Sequence, residues 1–229
     1  MREIILDTET TGLDPALGDR LVEIGGVELI HHVPTGRYFH QYINPDRHVS
    51  AEALAVHGLS VEFLRNQPVF AEIVDRFIEF LGDATLVCHN AAFDLAFINA
   101  ELAFLQREPL RADRVVDSLQ LARLKHPLAP NSLDALCKRY GIDNSRREKH
   151  GALLDAELLA EIYIELIGGR QPTLTLSSVP MASLPAIAAV RSFGPRPTLL
   201  PPRLTDAEIA AHNSMIESLG PNSLWRLLA

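Results

Sequence analysis

The sequence predicts an α/β fold, a mixed five-stranded sheet flanked by helices over residues 1–169, then a Pro-rich linker and a short C-terminal helix. Two patterns predict it. Up to about Gly169, short apolar runs alternate with stretches of helical period. Beyond it, residues 170–203 hold seven prolines, four arginines and no Asp or Glu, the composition of an extended tether.

Taken in order, "EIILD" reads as a first strand and "LVEIGGVELI" as a second, with "GRYFHQYINP" as a third after the turn "HHVPTG". Apolar residues at 70, 73, 74, 77, 78 and 81 make "FAEIVDRFIEFL" an amphipathic helix. "TLVCHN" is a fourth strand that opens into the helix "AAFDLAFINAELAFL", with Asn90 as its candidate cap. His89 and Asn90 read as shaping that turn. "RVVDS" is a short fifth strand, and "NSLDALCKRYG" and "GALLDAELLAEIYIELIGG" are helices, the second stopped by its glycines. After the tether, Thr205 and Glu208 form a capping-box pattern that starts a helix ending at Gly220-Pro221.

No apolar run approaches the roughly 18 residues of a membrane span, and "IIL" is too short an apolar block for a signal peptide. Cys88 and Cys137 are then expected as free, reduced, buried thiols, and the chain as a soluble cytoplasmic protein. The net charge is −8, unevenly spread. From Arg170 onward five Arg face Asp206, Glu208 and Glu217, a balance of +2, which leaves −10 on residues 1–169. So acidic a body handles a polyanion only with bound cations or local basic patches.

Asp7 and Glu9 stand two apart at the end of the first strand, so they share one face. Asp94 falls in the first turns of the helix after the fourth strand, and Asp155 follows His150 by five residues at the start of another helix. Singly, each is an ordinary strand end or a dipole-favoured helix start. Together they place three acidic clusters at the sheet edge where α/β sites form. Their hard oxygens suit Mg²⁺ or Mn²⁺, and no Cys/His spacing points to zinc.

"LDTETTGL", "HNAAFD" and "HGALLDA" resemble the three motifs of the DEDDh 3′→5′ exonucleases, a family with a ribonuclease H-like fold. "EIGGVEL", "VHGL", "NSLDALC" and "YGIDNS" extend the likeness over residues 2–169, most closely to the branch that proofreads for bacterial replicative DNA polymerases. The resemblance implies removal of mispaired 3′-terminal nucleotides as 5′-mononucleotides. Asp7 would bridge two divalent ions, Glu9 and Asp155 would hold the ion carrying the nucleophilic water, and Asp94 would serve the other. His150 would take that water's proton. It also implies that His57 and Glu52 lie near the terminal nucleotide, beside Asp7, Glu9 and Asp155. Leu13 and Phe93 could wedge or stack on a frayed end, or belong to the core. Lys138, Arg139, Arg146, Arg147 and Lys149 precede His150 as a basic run, either a solvated face or a track for phosphates.

"QPTLTL", with Gln171, Leu174 and Leu176, resembles peptides that dock to the bacterial sliding clamp. Leu224, Trp225 and Leu227 form an apolar cluster at the far end of the tether, fit for a partner. By the same resemblance, residues 204–229 bind the polymerase (alpha) subunit. Two other readings share parts of the pattern: a DEDDh nuclease that trims RNA or short oligonucleotides, and a non-catalytic scaffold joining polymerase to clamp. The first would lack this tether and terminal Trp. The second would carry a broken acid set, and all five site positions are intact.

Overall fold

Strand β1 (Arg2–Thr10) carries Ile4, Ile5 and Leu6 with no exposed surface. A run of three buried aliphatics needs cover on both faces, since successive side chains point opposite ways. A computed structural model, describing residues 1–147, 149–168 and 204–220, shows that cover. β2 (Leu21–Ile30) and β3 (Val33–Tyr42) follow as an antiparallel meander. The turn between them is only His31-His32, both with positive φ (52° and 65°), as a two-residue hairpin requires. The expected turn "HHVPTG" was therefore too long: Val33 and Pro34 already belong to β3. Pro34 is tolerated because β3 is an edge strand.

Three helices follow: α1 (Ala51–His57), α2 (Val61–Leu64) and α3 (Phe70–Leu81). Then come β4 (Thr85–Cys88), α4 (Ala91–Phe104), β5 (Val115–Asp117), α5 (Ser118–Lys125), α6 (Leu133–Tyr140) and α7 (Ala152–Leu166). Among the described residues the five strands form one sheet in the order β3-β2-β1-β4-β5, with β1, β4 and β5 parallel. This is the mixed five-stranded α/β sheet the sequence predicts.

On one face Ile4 and Leu6 pack with Phe70, Phe77 and Phe80 of α3 and Phe97 and Ile98 of α4. Full burial of a side chain such as Phe77 contributes about 1.5–3 kcal/mol. On the other face Ile5, Leu29 and Val87 meet Leu159, Ala160 and Tyr163 of α7. α7 also packs Leu158, Ile162 and Leu166 against Leu136 and Cys137 of α6 and Ala122 of α5. A helix covered on two sides reads apolar nearly all round, as "ALLDAELLAEIYIEL" does. Its far end is tied to the first strand, where the Tyr163 hydroxyl donates to buried Glu3 Oε1 at 2.8 Å. Cys88 and Cys137 are free and buried, as expected.

The chain divides into two units, Met1–Leu174 and Thr175–Ala229. In the second, α8 (Asp206–Ser218) starts at the expected capping box: Thr205 accepts from the Glu208 N–H, and Glu208 accepts from the Thr205 N–H. Gln171, Leu174, Leu176, Leu224, Trp225 and Leu227 lie outside the described residues. No helix among the described residues is long and apolar enough to cross a membrane.

Candidate active site

The carboxyl ends of β1 and β4 and the first turns of α4 and α7 converge on one cleft of about 300 Å³. Asp7, Glu9, Asp94, His150 and Asp155 all line it, so the structure brings together every predicted metal and general-base position. Asp94 sits in the first turn of α4, 3% exposed, and accepts a 2.8 Å hydrogen bond from the Thr8 hydroxyl. Asn90 precedes that helix in the left-handed region (φ 76°) and makes no side-chain cap, contrary to expectation. Its backbone N–H donates to Asp117 instead, and His89 bridges Ser118 and the Asn131 carbonyl, so both residues do shape the turn.

Asp155 lies in the first turn of α7, also 3% exposed. It can sit so close to the sheet because Gly25 of β2 faces the α7 start with no side chain. A Cβ there would fall 2.2 Å from the Ala152 carbonyl carbon.

The electrostatics follow from crowding acids in a dry cleft. Burial first, then repulsion from Asp94, Glu9 and Asp155, holds the Asp7 carboxyl well above its usual range. Burial, Asp155 and Glu23 push Glu9 up to about 8. Burial raises Asp94 to about 7 against the Thr8 hydrogen bond. Glu9, His150 and Asp155 each offer a ligand atom, all within 4.8 Å of one another. Oxygen donors that resist ionising unless a cation arrives fit a hard divalent metal. His150 is half-exposed, its Nδ1 3.4 Å from Asp155 Oδ2. Burial and then the Arg147 charge keep its imidazole below the usual range, hence neutral and able to accept a proton.

A second, apolar pocket of about 370 Å³ shares Thr8, Glu9 and Phe93 with the cleft and is lined by Leu13, Glu52, Val56 and His57. All four predicted substrate contacts therefore meet beside the acids. Leu13 is 85% exposed, which excludes the core alternative for it, whereas Phe93 packs partly on the core and on Phe97. His57 is 5% exposed. Its Nδ1 accepts from the Leu59 N–H, and its ring also meets the Thr10 backbone.

The basic run divides. Lys138 and Arg146 are exposed, Arg139 donates to the Pro130 carbonyl and Lys149 to the Ala55 carbonyl. Arg147 turns inward: its Nε and Nη2 donate to the two oxygens of Asp155 at 2.5 and 2.7 Å, and its Nη1 to Asp134 at 2.8 Å. Sequence reasoning missed that inward turn, along with Asp134 and Glu23. Glu23 is 3% exposed, stands opposite Glu9 across β1/β2 and pairs with His40 at 2.7 Å. A carboxylate in the otherwise apolar run "LVEIGG" was the available signal.

Residues 4–163 match the family model described as Exonuclease. The DNA polymerase III subunit epsilon of Rickettsia prowazekii is 51% identical over 183 residues, covering 79% of this chain and 80% of the relative. That of Escherichia coli K12 is 42% identical over 236 residues, covering 98% and 97%. Exonuclease X in complex with 5′-overhanging duplex DNA shares the fold at TM-score 0.59, with 24% identity over 73% of this chain and 92% of that one. The nuclease domain of 3′hExo, a DEDDh family member bound to rAMP, does so at 0.62 with 18% identity and the same coverage, 73% and 92%. The chain belongs to the exonuclease family and, within it, to the DNA polymerase III epsilon subunits.

Proposed function

We propose that this chain is the 3′→5′ proofreading exonuclease of its replicative DNA polymerase, and that Asp7, Glu9, Asp94 and Asp155 hold two divalent ions, Mg²⁺ or Mn²⁺. The observation that supports it is the convergence of four carboxylates and one neutral imidazole in a single cleft. Bound divalent ions lower the pKa of water and stabilise both the attacking and leaving oxygens of a phosphodiester. The protein's own residues do the rest. His150, at the cleft rim, accepts the proton from the attacking water. Glu52 and His57 orient the terminal nucleotide in the apolar pocket, and Leu13 and Phe93 wedge against its base. A duplex end must fray to reach such a pocket, and a mismatch lowers that cost.

Residues 1–169 form the nuclease domain, residues 170–203 the linker and residues 204–229 the polymerase-binding tail. Gln171, Leu174 and Leu176 are assigned to the sliding clamp. Leu224, Trp225 and Leu227 are assigned to the polymerase III alpha subunit. The match to the Escherichia coli relative spans 98% of the chain, which supports treating the tail as part of the shared design.

The test is release of a 3′-labelled nucleotide from paired and mispaired primers in Mg²⁺. Mispaired ends are trimmed faster, the difference narrows on heating, and His150→Ala lowers the maximal rate by roughly 10²–10⁴-fold. Equal rates on both primers, or full activity in EDTA, would refute the reading.

A further inference from the structure

Among the described residues lining the cleft, Arg147 is the one side chain of permanent positive charge. Its guanidinium is only 6% exposed although it comes from the segment between α6 and α7, in no helix or strand. It is gripped on three sides, by both oxygens of Asp155, by Asp134 Oδ1 and by His150 Nδ1 at 2.8 Å. A two-pronged guanidinium takes the one lone pair on each carboxylate oxygen that faces it, the pairs a chelating metal would also use, and leaves only the outer pairs. Arg147 therefore fills the chelating side of Asp155, where a cation would be held by both oxygens.

We propose that Arg147 is an exchangeable counter-cation of the site: it neutralises Asp155 until a divalent ion claims that carboxylate, then gives way. This rests on Asp155 being a metal ligand. The grip by two separate carboxylates shows how exchange proceeds without unfolding. Asp134 is 61% exposed at the cleft rim, so rotation of the Arg147 side chain frees Asp155 while Asp134 keeps the guanidinium. His150 loses a neighbour on its Nδ1 in the same movement, so loading Asp155 and releasing the imidazole are one event. Glu9 and Asp155 offer oxygens within 4.8 Å of one another, so a divalent ion would gain a second carboxylate along with twice the charge. The arrangement makes an acidic site foldable on its own, at the cost of weaker metal binding.

A merely organising arginine and a competing one predict opposite signs. Mn²⁺ is titrated calorimetrically into the full chain, without DNA, for wild type, Arg147→Met and Arg147→Lys, alongside melting curves in EDTA. Competition predicts that Arg147→Met melts lower in EDTA yet binds Mn²⁺ more tightly, by roughly 5- to 150-fold, the usual size of coupling between two linked sites. Arg147→Lys keeps the charge without the fork and falls between. Should Arg147→Met not fold, Arg147→Lys against wild type carries the same sign. Unchanged or weaker Mn²⁺ binding in the variants would overturn the inference while leaving the metal site standing. No Mn²⁺ binding to the wild type would overturn both.

Discussion

Gly25 on β2 and Ala152 at the start of α7 approach until only a hydrogen fits between them; a Cβ on Gly25 would lie 2.2 Å from the Ala152 carbonyl carbon. The neighbour is backbone, which cannot rotate aside. Gly25→Ala therefore has to push the first turn of α7 off the sheet, and Asp155 with it. The expected outcome is a loss of about 1–3 kcal/mol in denaturant unfolding. Displacement of about 1 Å at the site costs on the order of 10² in cleavage rate. Wild-type cleavage in a stably folded Gly25→Ala would show that α7 is not positioned by this contact.

Asp7→Asn removes one ionisable carboxyl from the crowded cleft. Burial and three neighbouring acids all oppose the Asp7 carboxylate, so the variant melts higher than wild type in EDTA. The gain is about 2–4 °C for each kcal/mol of repulsion relieved. Cleavage is lost in the same variant, because an amide is a poor ligand for a bridging position. A lower melting point in EDTA would count against the crowding.

Stability without metal should fall as pH rises. The folded-state value of Glu9, about 8, exceeds its ordinary value of 4.5, so the folded chain holds that proton more tightly than the unfolded one. The resulting stability is complete below the unfolded value and drains away as pH climbs through about 8. Asp94, raised from 3.8 to about 7, adds a contribution of the same sign. Melting curves in EDTA should therefore decline between about pH 5 and pH 8. Saturating Mg²⁺ flattens or reverses the trend, since it binds the ionised forms. A rise over that window in EDTA would contradict the assignment.

Catalysis and recruitment should separate. No tail residue is assigned to the chemistry, so a chain ending near Gly169 cleaves single-stranded DNA about as fast as the whole protein. It fails to co-purify with the polymerase subunit. In the full chain, Trp225→Ala weakens that association by at least about 2 kcal/mol, as loss of a buried aromatic anchor does. Gln171→Ala with Leu174→Ala spares the polymerase and weakens the clamp contact. Pull-downs with each partner read both, and unchanged polymerase binding by the truncated chain would move the docking surface onto the nuclease body.

The limits of the sequence were local and physical. The bounds of β2 and α3 were legible because ten and twelve residues, respectively, carry a mostly apolar run broken only by Glu23 and Glu28, or a clean helical period. α5 was not, since only Ser118 and Ala122 of its eight residues are buried, too few to set a period. The turn after β2 was legible but its two-residue length was not, because Pro34 and Gly36 read as turn residues and drew the expected turn into β3. The site acids were legible by position, at strand ends and helix starts. Arg147 was not, because a basic run looks alike whether its members face water or one of them turns inward. Only the fold supplies Asp155 and Asp134 as the reason for it to turn.

The clasp between Tyr163 and Glu3 joins residues 160 positions apart, and it closes the same helix whose opening turn brings Asp155 to the cleft. The order of the chain thus sets an order of competence. A fragment emerging with Asp7, Glu9 and Asp94 already present still lacks both His150 and Asp155. It gains them only when the last helix of the domain docks on both the first strand and the second. His150 and Asp155 are thus the last of the five cleft residues to be made, and the cleft is complete only once α7 has closed over the finished sheet, with residues 170–229 still to follow.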